Sequence, residues 1–572
     1  MANKTYGTIE ETKAFQVLSY ITKAIDNINN AVNNVKGNIL EVFATITYAV
    51  SHLVMAIFHE PWFDESVAWQ IARCASISEI LFVRPHYEGH PPLWHLILMP
   101  FAKLGAPYEL SLTVISLIFA GAAVGLIIWK SPFPRIIRLL LPFTYFFFYQ
   151  YGVISRPYCV MMLAFVLLAI SYSSRNEKPL RYTLCLALLC LTSAYGIVIA
   201  AGIAAVWLWE IWDKENIFSF IKKAFRDKRI YCLAGLLVFA LILVIGIIPY
   251  EDTYGTNMDR MFTHTNHWLV RLLYVFFGLP SDCVYTYILN GGFLKYAHLS
   301  LYDMMSGCYI GLIIWSILLY FGRKKGQIKL FVIPCVMFCI FSSLVYLCTH
   351  HIGIFMLFVL FWVWVSASEK DIVKTEVKIT KGYGKVLKSF ATIFLCVGLI
   401  VSLTQTVTSC IADITSSYAI GRSEAKFIKE NGLDKYNIMA AWKVVKDDDG
   451  EILAIDTNYC GYANNVAPYF EHNIFFNFND GKDDEAYMTH CITTDEENQE
   501  NFSKWEKIKP DVLYMCPELE MVYDEDELSM SDYTLVYSKE HNSIWKGVKS
   551  FYETEIYVRD ELAEELGLEK VK

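Results

Sequence analysis

The stretch "ILEVFATITYAVSHLVMAIF", residues 39–58, runs without a break into "HEPWFDESVAW", residues 59–69. The first part is a predominantly apolar segment of about the length that crosses the hydrocarbon core of a bilayer. The second puts an Asp and a Glu side by side where the chain comes out. Ionisable groups near membrane depth are costly and gather where a water-filled cavity or a site needs them. The pair at positions 64 and 65 therefore asks for partners elsewhere in the chain.

Composition supports a membrane setting. The 572 residues are 55% hydrophobic and 15% aromatic, with a mean hydropathy of +0.35, too apolar for an ordinary soluble enzyme. Charge is divided unevenly. Residues 411–572 carry 35 acidic and 16 basic side chains, a net −19, while residues 1–410 carry 23 acidic and 33 basic, a net +10. A basic membrane part is thus followed by an acidic soluble tail, and no nucleic-acid partner is expected.

Apolar runs near 39–58, 109–129, 139–153, 158–173, 182–196, 197–212, 231–249, 305–321, 329–348, 352–367 and 389–409 predict eleven crossings. The basic connectors "KSPFPRIIR", "RNEKPLR", "KENIFSFIKKAFRDKR", "GRKKGQIK" and "KDIVKTEVKITKGYGKVLK" all alternate onto one face. Lys and Arg favour the cytoplasmic side. The expected organisation is a cytoplasmic segment 1–38, polar and without a cleavable signal pattern, a transmembrane domain 39–410 with a long first outer loop 58–108, and an extracytoplasmic domain 411–572. The expected location is the cell membrane, with the N-terminus inside.

The outer face collects the polar groups. The first loop supplies His59, Asp64, Glu65, Arg84, His86, Glu88 and His90; "VISRPY" supplies Arg156 and Tyr158; "CTHHIG" supplies His350 and His351. Within the loop, "RPHYEGHPPLWHLILMPFAKLG" has the spacing of a helix lying on the membrane surface, started by Pro91 and Pro92.

These residues resemble the GT-C glycosyltransferases, most closely the protein O-mannosyltransferase and aminoarabinose-transferase branch. The likeness lies in an Asp-Glu pair after the first span, a "GHPPLW" segment opening an amphipathic helix, and an Arg-x-Tyr at the end of the third span. It runs from about residue 39 to 410 and is most specific over 59–100. It implies a GT-C-like enzyme that takes a sugar from a polyprenyl phosphate and passes it, with inversion, to a cell-envelope glycan, lipid or protein. The pattern departs from the family where Gln150 and Arg156 stand further apart than a Gln-x-x-Arg, and where His350 and His351 replace an Arg.

The residue types suit such chemistry in their own right. A carboxylate can take the acceptor's proton as it attacks the anomeric carbon, and Arg and His can stabilise charge on a departing phosphate. Asp64 is the expected base, with Glu65 orienting Asp64 or the acceptor. Arg84, His86, Glu88, His90, Arg156, Tyr158, His350 and His351 are the expected substrate contacts. No cofactor or metal is expected. "HYEGH" would place His86, Glu88 and His90 on one side if extended, a geometry open to a metal, but it lacks the helical H-E-x-x-H of zinc proteases.

Bland readings stand beside these. Asp64 and Glu65 could be a solvated helix start, Arg156 a snorkelling interfacial residue, and the His pair interfacial donors. A polytopic transporter or lipid flippase would use the same charges along a substrate path, though it would usually show internal repeats and polar groups near the midplane.

In the tail, "SEAKFIKENG" and "EENQENFSKWEKIK" read as helices and "NIMAAW", "NIFFNF" and "DVLYMC" as strands, giving a small α/β domain. "KDDDG" reads as a hairpin turn and "DEDE" as a solvated loop. The fifteen cysteines include no CxxC, and Cys410, Cys460, Cys491 and Cys516 leave three possible pairings.

Overall fold

A computed structural model describes residues 13–212, 225–253, 268–285, 300–369, 381–446, 452–457, 460–505, 507–515, 530–545 and 548–571. The protein is a mostly helical membrane protein with a small sheet. Among the described residues, seven helices are long and apolar enough to cross a membrane: Ile39–Phe58, Tyr108–Lys130, Ala194–Trp212, Lys228–Ile247, Leu301–Lys325, Thr349–Ser368 and Lys388–Thr415. Tyr158–Tyr172, Pro179–Cys190 and Ile328–Leu344 are shorter apolar helices.

The run 139–153 departs from the regular crossing expected of it. It is a short helix, Arg135–Leu140, a 3-10 turn, Leu141–Phe143, and a π-helical stretch, Phe146–Val153. Pro142 lacks the N–H that would continue the α ladder. The π stretch is buried throughout. Gly353 lets the helix Ile352–Ser368 lie directly on it, because a Cβ there would fall 2.3 Å from Phe146 and 2.7 Å from Tyr151. A second apolar segment, Trp268–Val284, combines a helical turn, a π-helical turn and a further helical turn, and was not anticipated.

The N-terminal helices are numbered α1 (Lys13–Asn34), α2 (Ile39–Phe58), α3 (Phe63–Cys74), α4 (Ile77–Phe82), α5 (Arg84–Glu88), α6 (Leu93–Lys103) and α7 (Tyr108–Lys130). α2 joins two chemically different ends of the bundle. Near its start, Glu41 accepts two hydrogen bonds from Arg135, at 2.8 and 2.7 Å, and lies 3.5 Å from Arg138. Its far end delivers His59 and the Asp-Glu pair.

The first loop folds into four short helices, α3 to α6. Ser76 caps α4 through a capping box with Glu79. Gly89, at φ 64, ends α5 in the left-handed conformation that glycine adopts without a Cβ penalty. Pro92 then caps α6 as its N-terminal neighbour, in keeping with the expected Pro-Pro start.

The C-terminal domain has its own apolar core, built around Trp442, Phe475, Leu513 and Ile556. Strands β1 (Ile438–Ala440), β4 (Val512–Met515), β6 (Val548–Arg559) and β5 (Tyr533–Trp545) form one sheet in the order β1-β4-β6-β5, with β1 and β4 parallel and the other pairs antiparallel. β2 (Lys443–Lys446) and β3 (Ile452–Asp456) pair antiparallel across the expected "KDDDG" turn; residues 447–450 of that turn, "DEDE" and Cys516 lie outside the described residues.

Both expected tail helices are present, as Arg422–Glu430 and Asp495–Trp505. "NIFFNF" is corrected. It is a turn with a single bridge at Phe475, because Asn477 hydrogen-bonds both the N–H and the carbonyl of Ala440 and so occupies the edge where a strand would add. Among the described residues, Cys410, Cys460 and Cys491 form no disulfide with one another.

This domain sits on the first loop. Gln70 donates to the Ala486 carbonyl at 2.8 Å, Arg73 to that of Phe470 at 2.7 Å and Arg84 to that of Thr489 at 3.0 Å. Val67, Ile71, Ala75 and Ile80 share one apolar cluster with Tyr487 and Met488. Burying that surface stabilises the contact by about 25 cal/mol per Å² of apolar area.

Candidate active site

The site begins at the first turn of α3. Glu65 turns back to accept the Trp62 N–H at 3.1 Å, as the acid of a capping box does. Its other oxygen accepts the Ser155 N–H at 2.6 Å. That second bond fixes the chain beside Ser155 and so brings Arg156 against Asp64. Arg156, 8% exposed, donates from Nη1 to the Asp64 carbonyl at 2.6 Å and holds Nη2 3.5 Å from its carboxylate. Asp64 keeps a quarter of its side-chain surface open, whereas Glu65 is 1% exposed.

A buried ionic network lies underneath. His59 Nε2 is 3.3 Å from Glu65, and Nδ1 is 2.9 Å from Asp413 at the end of the last apolar helix. Tyr149, from the π-helical stretch, donates to the other Asp413 oxygen at 2.7 Å. Burial opposes a charge on His59, but Asp413 and Glu65 together raise its pKa to about 10. At neutral pH it is an imidazolium between two carboxylates, so the buried charges are paired, as burial requires.

Above this network is a cavity of about 520 Å³. Asp64, His86, Glu88, His90, Arg156, His350 and His351, which the sequence places at three distant positions, line it together. Apolar residues complete the lining, among them Ile197 and Val198, Val244 and Ile247, and Phe341 and Val345, from three apolar helices and their ends.

Local structure aims each polar group. Burial and the Arg156 charge hold His90 down at about pKa 4, so it is neutral at physiological pH. The Cys348 N–H donates to His351 Nδ1 at 3.1 Å. Nε2 is then the nitrogen that bears the proton of the neutral ring. Tyr151 donates to the His350 carbonyl at 2.6 Å and anchors the His pair to the π-helical stretch. His86 hydrogen-bonds the Ile248 carbonyl at 2.6 Å and stacks on Tyr250, ring centres 4.2 Å apart.

Three expected contacts stand outside the cavity lining. Glu65 has both oxygens committed to the scaffold. Arg84 is held between the Tyr87 and Tyr487 rings, at 4.7 and 5.3 Å. Tyr158 lies behind the His pair, its ring centre 5.9 Å from His350 and 6.0 Å from His351. "HYEGH" is not extended: residues 84–88 form a helical turn, so the alternation that would align His86, Glu88 and His90 is lost. Among the described residues no group of three His, Cys, Asp or Glu is placed to hold a metal ion.

Several residues of the site were not singled out from sequence. Asp413 is a lone acid at the end of an apolar run, and that position was its only signal. Arg271 caps the helix Ile328–Leu344 by donating to the carbonyls of Ser343 and Val345 at 2.8 and 3.1 Å, and so fixes the helix end where Val345 lines the cavity. His490, from the C-terminal domain, also lines the cavity.

No protein-family model, no curated protein and no solved structure matches this chain.

Proposed function

We propose that the protein is an inverting membrane glycosyltransferase of the GT-C type, which moves a sugar from a polyprenyl phosphate to a cell-envelope acceptor. The observation that carries this is the mixed lining of the cavity, in which Asp64 and Arg156 stand together with apolar side chains from three apolar helices. A soluble substrate would not need that apolar lining, and a lipid-linked phosphosugar needs both kinds of contact. The resemblance of the Asp-Glu pair, "GHPPLW" and Arg-x-Tyr to GT-C enzymes points the same way.

In this reading the chain crosses the membrane about eleven times, counting the irregular segment 139–153, with its N-terminus cytoplasmic and residues 411–572 outside. Outside the cell there is no pool of nucleotide sugar, so the donor arrives on a lipid. Asp64 takes the proton from the acceptor hydroxyl as its oxygen bonds to the anomeric carbon. The bond from that carbon to the phosphate oxygen breaks on the opposite face, and the electron pair leaves with the polyprenyl phosphate.

Arg156, with His350 and His351, stabilises the charge that grows there, an effect larger in the transition state than in the ground state. Glu65 is a positioning residue that holds Asp64 and Arg156 in register. The partners are the lipid donor, the surrounding membrane lipid and a cell-envelope glycan, lipid or protein.

The test is to incubate the purified protein with a panel of radiolabelled polyprenyl-phosphate sugars and a cell-envelope extract. Transfer of label from one donor is the expected result. No consumption of any donor, with the protein folded, would reject the assignment.

A further inference from the structure

At the end of the bundle away from the site, α1 runs from Lys13 to Asn34, just ahead of the first span. Its residues divide into three edges. Leu18, Thr22, Ile25, Asn29 and Val32 are half-buried, where α1 packs on the short helix Arg135–Leu140 and the long helix Lys381–Thr415. Ser19, Lys23, Asp26, Asn30 and Asn33 make an exposed polar edge. The third edge is apolar and equally open: Val17, Tyr20, Ala24, Ile28 and Ala31, with Tyr20 76% and Ile28 55% exposed.

With 3.6 residues per turn, the apolar edge stands about 120° round the helix from the packed edge and about 140° from the polar one. That is the arrangement of a helix lying in a membrane surface beside its own bundle. One side meets the protein, one meets water and one meets the acyl chains.

Arg135 fixes the level of this helix. Its guanidinium donates to the carbonyls of Val32, Val35 and Gly37 at 3.0, 2.7 and 2.8 Å, while it also holds Glu41 in the first turn of α2. Gly37, at φ 69, turns the chain between the two helices. The end of α1 is thereby tied to the level at which α2 enters the hydrocarbon. Ile39 and Phe43 of that span, 66% and 68% exposed, carry the apolar surface onward.

We infer that α1 is a membrane-surface helix, its Val17, Tyr20, Ala24, Ile28 and Ala31 edge immersed in the leaflet at the Glu41 end of α2. This does not depend on the proposed glycosyl transfer. In the orientation proposed above, that leaflet is the cytoplasmic one. A second copy of the chain is the poorer partner on area. A third of the surface of a helix about 33 Å long and about 11 Å across is about 400 Å², well short of the roughly 800 Å² that each partner buries in a stable complex. The helix carries only Lys13, Lys23 and Asp26 as charges, so apolar burial holds it and neutral phosphatidylcholine suffices.

The experiment uses the full-length protein, its cysteines replaced, in phosphatidylcholine nanodiscs. Nitroxide labels at Ala24 and Ile28, and at Ser19 and Asn30 on the polar edge, are read by EPR for collision with oxygen, which partitions into lipid, and with an aqueous nickel chelate. The Ala24 and Ile28 labels should favour oxygen and report immersion of about 5–10 Å. The Ser19 and Asn30 labels should favour nickel, and adding phosphatidylglycerol should leave the depths unchanged.

Nickel access as high at Ile28 as at Asn30 would overturn the inference. So would immersion gained only with phosphatidylglycerol, or an Ile28 label shielded from both reagents and coupled to the label of a second copy. Wild-type protein gives a check free of substitutions. A phosphatidylcholine with a diazirine near the carbonyl end of its acyl chain should cross-link within residues 17–31, and absence of that adduct would count against the surface helix.

Discussion

Arg156 grips Asp64 twice, through the main-chain carbonyl at 2.6 Å and beside the carboxylate at 3.5 Å. One residue comes from the first loop and the other from just after the π-helical stretch, so the planar guanidinium sets the position of Asp64; in the proposed reaction it would also face the leaving phosphate. Arg156→Lys keeps the charge but loses the fork, and the two are not interchangeable at such sites. The expected outcome is a greater loss in kcat than rise in the KM for the lipid donor. Wild-type kinetics in Arg156→Ala would leave Arg156 as an interfacial side chain only.

Glu65 should behave differently from its neighbour. Its oxygens hold Trp62, Ser155 and His59 rather than a ligand. Glu65→Gln keeps an acceptor for Ser155 but removes one counter-charge of His59, and Glu65→Ala removes both. The expected result is a stepwise fall in thermal midpoint in detergent from wild type to Gln to Ala, with kcat per folded molecule falling in the same order as Asp64 and Arg156 lose their register. A full-stability Glu65→Ala would show that the capping contacts are dispensable.

Two buried acid–base groups give opposite pH signatures. His59 has its pKa raised to about 10, so its contribution is complete below its unfolded value of about 6.5 and is lost as pH rises through about 10. Burial alone would raise the pKa of Glu424, but His541 at 3.0 Å and Thr554 at 2.8 Å lower it to about 2. Its contribution is present above about pH 4.5 and lost as pH falls toward 2. Thermal midpoints across pH should decline on both flanks. His59→Asn should flatten the alkaline flank and leave the acid flank, and an unchanged alkaline flank would count against the imidazolium.

The orientation of the bundle can be read by thiol labelling in a cysteine-free background. Cysteines at Ser78 and Asp483, both exposed at the end that holds the site, should react with an impermeant reagent in intact cells. Cysteines at Ser173 and Lys324, exposed at the other end, should react only after lysis. Equal labelling of Ser78 and Ser173 would separate the site from the outer face.

How far the molecule was legible in its sequence depended on the range of the forces involved. The spans 39–58 and 109–129 agree closely with Ile39–Phe58 and Tyr108–Lys130, because a continuous apolar run has one economical conformation in lipid. Pro91 and Pro92 announced α6, since capping is local.

The β5–β6 hairpin was not anticipated. "YTLVYSKEHNSIW" mixes charged residues into the strand and carries a register shift between Leu535 and Tyr537, which blurs the alternation that marks a strand. The Asp64, Arg156 and His350 segments could be assigned to one face because loop charge alternates. The pairing of His59 with Asp413 could not be read, because the two lie 354 positions apart and meet only through helix packing. His490 was hidden for the same reason, in a domain whose docking on the first loop has no local signature.

The most direct test of the central claim is single-turnover transfer by wild type and Asp64→Asn, side by side, at saturating polyprenyl-phosphate sugar. Asn matches Asp in shape and cannot take a proton at neutral pH. The variant is therefore expected to fold, to bind the donor and to transfer about 10²–10⁴-fold more slowly, the range for loss of a positioned general base. Retention of more than about a tenth of the wild-type rate, far short of that range, would contradict the assignment of Asp64 as the base.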